Sequence, residues 1–193
     1  QDVAFGNLTN GITGISRAVM RLTKLEQFYI ANAPITDEFF VEVTEDSAFY
    51  AERDTWSWAE FDSLMDVEIY NCAQLTRLPL DVLCGAPELQ SLNLSMNQGI
   101  AGKQLLSDWE AIICGASGAD IQILYFNSCN LEETPDYSHL SRMTKLGLLD
   151  LSNNKLRKIH PFGKEIYPTT PYYDNNRIES IAPSEEGYFC GLG

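Results

Sequence analysis

Residues that carry chemistry are scarce in this sequence. Only two histidines occur in 193 residues, His139 and His160, and they form no metal-binding pair. There is no Gly-x-Ser-x-Gly elbow to expose a nucleophilic serine, and no Gly-x-Gly-x-x-Gly to cradle a dinucleotide. The turn Cys114-Gly-Ala-Ser-Gly-Ala lacks the lysine that a phosphate loop needs. Carboxylate pairs abound, but among 27 acidic residues they single out no site. The chain is therefore expected to be no enzyme and to carry no cofactor, unless an attached domain supplies the chemistry.

Cationic residues are also few. Thirteen Lys and Arg stand against 27 Asp and Glu, a formal net charge of -14. Such a field repels phosphate backbones, which argues against nucleic acid and favours a basic or neutral partner. No run of 18 apolar residues is present to span a membrane. The opening Gln1-Asp2-Val3 shows no basic stretch followed by an apolar one; a leader removed before residue 1 would leave no trace. The five cysteines form no Cys-x-x-Cys pair.

What the sequence has is a repeat. The clearest unit is Leu146-x-x-Leu149-x-Leu151-x-x-Asn154-x-Leu156-x-x-Ile159. The same template fits Leu25, Phe28, Ile30, Ala33, Ile35; Leu64, Val67, Ile69, Cys72; Leu89, Leu92, Leu94, Asn97; and Ile121, Leu124, Phe126, Cys129, Leu131. A last unit, Pro171-x-Tyr173-x-x-Asn176-x-Ile178-x-x-Ile181, departs from it at the start, and a partial unit reads Asn10-x-Ile12-x-x-Ile15. The ninth places fall at 10, 33, 72, 97, 129, 154 and 176, with spacings of 23, 39, 25, 32, 25 and 22. The two long spacings imply insertions, at 36–62 and 101–120.

The pattern resembles the leucine-rich repeat family over nearly the whole chain. That resemblance implies an α/β fold: a right-handed solenoid with parallel strands on a concave face and mixed helix, 3₁₀ turn and loop on the convex side. It also implies a protein-binding role on the concave face. Side-chain alternation agrees, because the fourth and sixth places of a strand share one face. A ninth-place Asn can pair backbone groups left open where the chain turns out of the strand, and Cys substitutes for it in this family. The ladder is Asn10, Ala33, Cys72, Asn97, Cys129, Asn154 and Asn176. The side chain of Ala33 cannot hydrogen-bond, so its rung is expected to be broken, or filled by water or by Asn32. After Cys72 and Asn97 the next apolar residue, Leu75 or Ile100, comes one place late, so those turns should differ in shape.

Helical spacing marks Ile15, Val19, Leu22 and Leu25, and Leu105, Trp109, Ile112 and Ile113, with helix at 104–114 the best formed. Tyr137, Leu140, Met143 and Leu146 step by three, which suggests a short 3₁₀ or α turn. Cys72 and Cys129 should be buried thiols, and Cys84, Cys114 and Cys190, each before a glycine, convex-side ones; no disulfide is expected.

The outward places form two columns: Tyr29, Glu68, Asn93, Tyr125, Asp150 and Tyr172, then Ala31, Tyr70, Ser95, Asn127, Ser152 and Asp174. Ile123 and Leu148 face the same way. Tyr29, Glu68, Tyr70, Asn93, Tyr125, Asn127, Asp150, Tyr172 and Asp174 are the candidate ligand-binding residues. Exposed tyrosine suits this role because it offers area and a hydroxyl at low entropic cost, although tyrosine is also a good strand former.

The 36–62 insertion holds nine Asp and Glu against Arg53, with Phe39, Phe40, Phe49, Tyr50, Trp56 and Trp58, but no EF-hand spacing. It is read as a solvated loop whose aromatics pack down, with a basic partner as the alternative. Ser107-Asp-Trp-Glu and His160-Pro-Phe-Gly-Lys-Glu-Ile, with the repeats, resemble leucine-rich segments of large secreted or lipid-anchored proteins of gut Bacteroidetes. The expectation is a single repeat domain over 1–193, a fragment of a larger bacterial protein, extracellular or on the cell surface. Its expected function is non-enzymatic protein binding; the alternatives are a structural spacer or a glycan binder.

Overall fold

The computed structural model describes residues 2–6, 22, 24–36, 62–76, 86–100, 120–134, 143–160 and 170–181. Nine strands occur there: β1 (Asp2–Gly6), β2 (Gln27–Ala31), β3 (Asp66–Tyr70), β4 (Ser91–Asn93), β5 (Ile123–Tyr125), β6 (Leu148–Asp150), β7 (Lys158–Ile159), β8 (Thr170–Tyr172) and β9 (Ser180–Ile181). Seven form one parallel sheet in the order β1-β2-β3-β4-β5-β6-β8. Register is held without slippage: Phe28 pairs with Val67, Val67 with Leu92, Leu92 with Leu124, and Leu124 with Leu149. A one-residue slip would turn every apolar side chain to the opposite face, so the template itself fixes the register.

The first, fourth and sixth places build the core. Leu25, Leu64, Leu89, Ile121 and Leu146 pack with Phe28, Val67, Leu92, Leu124 and Leu149, and with Ile30, Ile69, Leu94, Phe126 and Leu151, all fully buried. Each such side chain stabilises the fold by roughly 1.5–3 kcal/mol, and only because the repeats on either side close over it. Ahead of the strands, Leu25 N–H bonds to Leu22 O, Leu89 N–H to Ala86 O and Leu146 N–H to Met143 O. These single i→i+3 turns set the apolar residues three apart on one side. The expected helix over 104–114, the helical spacing at Ile15 and Val19, and the three further cysteines lie outside the described residues, as do Asn10 and nearly all of both insertions; Leu22 and Leu25 are joined by the single turn above.

Two features of the strands differ from the sequence reading. Strand β1 was not anticipated, because the partial unit was counted from Asn10. Beyond the main sheet, β7 and β9 pair in parallel, and Glu133 bridges to Lys158, so a second small sheet follows the ladder in the last repeats. Ile178 and Ile181, assigned inward, are 40% and 42% exposed. Their counterparts one repeat earlier, Leu156 and Ile159, are buried. The difference is position: no described repeat packs on the far side of the last one.

The ninth places are wired in series. Asn154 Oδ1 accepts from the N–H of Cys129 (2.9 Å) and of Leu131 (3.0 Å), both in the preceding repeat. Its Nδ2 donates to Phe126 O and Leu151 O, each at 2.9 Å, and to Ser152 O. Asn97 repeats the motif with Cys72 N–H, Ile69 O and Leu94 O, and Asn176 with Leu156 N–H, Leu151 O and Tyr173 O. At Cys129 the thiol donates to Leu94 O at 3.1 Å and takes the backbone N–H of Asn97. Each rung therefore serves the repeat before it. Ala33 shows the consequence: its own N–H is taken by the sulfur of Cys72. Asn32 does not stand in for it, since its amide Oδ1 instead accepts from Asn71 Nδ2 in an exposed bond. Burial raises both thiols, Cys72 upward from its usual value and Cys129 to about 11, so both are neutral, unreactive thiols.

The turns after the rungs come in two forms. After Cys72 and Asn97 the longer turn closes on itself, with Leu75 N–H to Cys72 O at 2.9 Å and Ile100 N–H to Asn97 O at 3.1 Å. After Cys129 and Asn154 the shorter turn borrows its acceptor from the next rung, as Leu131 and Leu156 show. The two longer turns lie against each other, and a Cβ on Gly99 would stand 2.6 Å from Leu75 O and 2.7 Å from Ala73 O.

Gly99→Ala is expected to cost about 1–3 kcal/mol in urea unfolding, because rigid backbone must move. Asn154→Ala strands buried backbone donors and acceptors, and should cost roughly 3 kcal/mol or more by the same measurement. Asn176→Ala, at a half-buried rung, should cost less; equal losses would show that burial does not set the worth of a rung.

Candidate functional site

The face of the main sheet turned away from the core is built by the third, fifth and seventh places. In the fifth place the side chains stand in single file, one per strand: Ala4, Tyr29, Glu68, Asn93, Tyr125, Asp150 and Tyr172 are paired neighbour to neighbour. Tyr29 is 36% exposed and Tyr172 44%, while Glu68, Asn93, Tyr125 and Asp150 are half-buried between their neighbours. Asp150 thus stands between Tyr125 and Tyr172, and Glu68 between Tyr29 and Asn93. Adjacent strands lie about 4.8 Å apart, so neighbours in this file are within side-chain reach.

Several of these side chains are held by neutral donors. Asp150 Oδ1 accepts from Ser152 N–H at 2.9 Å, and Asn93 Oδ1 does the same for Ser95 N–H at 3.0 Å. Glu68 Oε2 faces Asn93 Nδ2 at 3.5 Å, and Asp66 Oδ2 accepts from Gln27 Nε2 at 3.1 Å. The face holds Asp2, Asp66, Glu68, Asp150 and Asp174 and, in these three places of the described strands, no Lys or Arg. Lys155, Arg157, Lys158 and Arg177 lie instead beyond the ladder, in and around the second sheet. Lys145 pairs with Asp120, away from the file.

The seventh place departs from its expected role. Tyr70 and Asn127 are half-buried and Asp174 is exposed, but Ala31, Ser95 and Ser152 are buried. These three side chains are too short to rise past their neighbours. Ser95 and Ser152 leave low ground between Tyr70, Asn127 and Asp174.

A column that sequence reasoning missed runs along the eighth place. There the backbone turns left-handed: φ is 51° at Asn32, 52° at Asn71, 62° at Met96, 59° at Ser128, 55° at Asn153 and 56° at Asn175. Asparagine tolerates this conformation better than most residues, which explains its recurrence beside the ladder. The signal was legible in Asn32, Asn71, Asn153 and Asn175, but the ninth-place Asn claimed the attention. Amides in this column also link across strands, Asn71 Nδ2 to Asn32 Oδ1 at 2.7 Å and Asn175 Nδ2 to Asn153 Oδ1 at 3.0 Å. Met96 and Ser128 break the series. At Ser152 the hydroxyl accepts from Asn153 Nδ2, whereas the buried Ser95 Oγ, followed by Met96, has no partner among the described residues. Thr134 is a third buried hydroxyl the pattern did not reveal; its Oγ1 accepts from His160 N–H at 2.7 Å.

Solved structures match this stack. One is a leucine-rich repeat protein from Bacteroides eggerthii, 42% identical with a TM-score of 0.72 over 82% of this chain. Another, a leucine-rich repeat protein from Bacteroides thetaiotaomicron, is 39% identical with a TM-score of 0.74 over 92% of this chain. The chain has the leucine-rich repeat fold. It spans about a quarter of each of those proteins, 26% and 23% of their lengths. No family model matches the chain, and no curated relative does.

In the leucine-rich repeat frame the file of tyrosines and carboxylates can supply contact area, hydroxyls and negative charge. Among the described residues no three His, Cys, Asp or Glu gather to hold a metal, and no helix is long and apolar enough to cross a membrane.

The break at Met96 gives a direct test of the eighth place. Met96→Asn relieves a left-handed methionine and supplies the donor that Ser95 Oγ lacks. It should raise stability by about 1 kcal/mol in urea unfolding. Ser95→Ala should be neutral or slightly stabilising, and a loss from Met96→Asn would show that the methionine's packing outweighs its backbone strain.

Proposed function

We propose that this chain is a non-enzymatic protein-binding module whose ligand lies on the outer face of the seven-stranded sheet. The observation that carries this is the unbroken fifth-place file, in which Tyr29, Tyr125 and Tyr172 are interspersed with Glu68, Asn93 and Asp150 on adjacent strands. Tyrosine and ordered polar groups on a rigid support give contact at low entropic cost. Tyr70, Asn127 and Asp174 extend the same surface.

The finer architecture belongs to this reading. Parallel crossovers are right-handed in about 98% of known cases, which makes the coil right-handed and the sheet its concave wall, the side on which solenoids present extended binding surfaces. The partner is a basic or neutral protein, given a formal net charge of -14. A place outside the cell or on its surface, and membership of a longer protein, rest on the resemblance of the repeats and the tracts at 107–110 and 160–166 to secreted and surface proteins.

The test is selection of binders from a displayed random-peptide library, followed by challenge with variants. Tyr125→Ala with Tyr172→Ala should weaken the selected binders at least tenfold, whereas Lys155→Ala with Arg157→Ala should leave them unchanged. Binders indifferent to the tyrosine pair would remove the face from the reading. No binders at all would favour a structural spacer, unless soluble oligosaccharides raise the melting temperature, which would mark a glycan binder instead.

A further inference from the structure

We infer that the occupant of this face is an extended, basic peptide segment bearing two Lys or Arg side chains four residues apart; the inference rests on the protein-binding reading above. Three observations converge on it. The first is charge: the described third, fifth and seventh places hold carboxylates and no cation, while the described Lys155, Arg157, Lys158 and Arg177 lie beyond the ladder. Among the described residues Glu68 and Asp150 meet only neutral donors. An ammonium or guanidinium arriving from a ligand therefore finds a carboxylate with no cation among the described residues to displace.

The second is the company each carboxylate keeps. Asp150 lies between Tyr125 and Tyr172, and Glu68 beside Tyr29. A cation seated at a carboxylate with tyrosine rings alongside gains from the ring quadrupole as well as from the ion pair, and aliphatic Lys or Arg stems cover the rings. A neutral or anionic ligand would use the tyrosines but leave both carboxylates desolvated with only neutral donors and no counter-charge.

The third is spacing. Glu68 on β3 and Asp150 on β6 are separated by three strand steps through Asn93 and Tyr125, or about 14 Å at the usual strand separation. An extended chain advances about 3.3 Å per residue with alternate side chains on one face. Residues i and i+4 then lie about 13 Å apart and point the same way, matching the two carboxylates. Residues i and i+3 point to opposite faces. Asn93 and Tyr125, between the two anchors, meet the side chain at i+2.

The fold supplies its own controls. Asn93 caps Ser95 N–H as Asp150 caps Ser152 N–H, so Asp150→Asn removes charge while keeping an interaction this chain already makes with an amide. Glu68→Gln keeps an oxygen facing Asn93 Nδ2.

The experiment uses the whole chain and nine-residue synthetic peptides of otherwise Thr, Ser and Val, with Lys at positions 3 and 7, 3 and 6, or with norleucine at 3 and 7. Binding is measured by fluorescence anisotropy at low and high salt. The 3,7 peptide should bind at least fivefold tighter than the 3,6 and norleucine peptides. That advantage should fall with added salt and be lost in the Glu68→Gln, Asp150→Asn pair, with the variant's melting curve unchanged. Equal binding of all three peptides, an advantage that survives in the charge-neutral pair, or no binding of the 3,7 peptide overturns the inference. If library selection still yields binders that need Tyr125 and Tyr172 but carry no paired cations, the protein-binding reading stands and only the basic segment falls. Loss of both would remove the face itself.

Discussion

The structure depends on one requirement: backbone groups exposed where each strand turns outward must be paired inside the stack, where water does not reach. A lone buried donor or acceptor there costs about 1–3 kcal/mol. The ninth-place side chains meet the requirement by reaching backward, each completing the repeat before it, as Asn154 does for Cys129 and Leu131. The core alone would hold the repeats together without fixing their alignment. The ladder makes neighbouring repeats interdependent in register as well as in burial, and this keeps the outer face a straight file.

The backward direction of the bonds also explains which substitutions the ladder accepts. A rung's side chain serves its predecessor, while its own N–H is served by its successor. Ala33 therefore keeps its N–H paired through Cys72, and its missing side chain concerns only the repeat ahead of it. Cysteine suffices where a sulfur can both accept an N–H and donate weakly to a carbonyl, as Cys129 does. The same burial that makes this work raises the thiols and removes them as nucleophiles. Turn length follows from the same economy of acceptors. A turn one residue longer bonds to itself, and a shorter one takes the next rung's amide.

A surface results that has shape and charge. Its negative side chains are separated from Lys155, Arg157, Lys158 and Arg177, which sit beyond the ladder around the second sheet. Such segregation orients an approaching charged partner and favours one face over the other. The tyrosines provide area, the carboxylates a sign, and the strand spacing a ruler. These are the properties of a recognition surface, in keeping with a leucine-rich repeat fold.

Much of this was legible in residues 25–35, 64–72, 89–100, 121–131 and 146–159, because a period-2 strand repeated at a fixed interval leaves few ways to bury its apolar places. The fourth and sixth places, the ladder from Cys72 to Asn176 and the file from Tyr29 to Tyr172 follow from spacing alone. Spacing could not say that Ala31, Ser95 and Ser152 would be roofed by larger neighbours, since burial of a small side chain depends on what stands beside it in the next repeat. Nor could it find β1, whose Asp2–Gly6 carries too little of the template, or the pairing of β7 with β9, where two residues per strand leave no period to detect. The sequence by itself determined which side of each strand is wet and which backbone groups the ladder must satisfy, because both are properties of one repeat. Only the tertiary structure decided the direction of the ladder, the left-handed eighth column and the neighbours of each carboxylate, because these exist only between repeats.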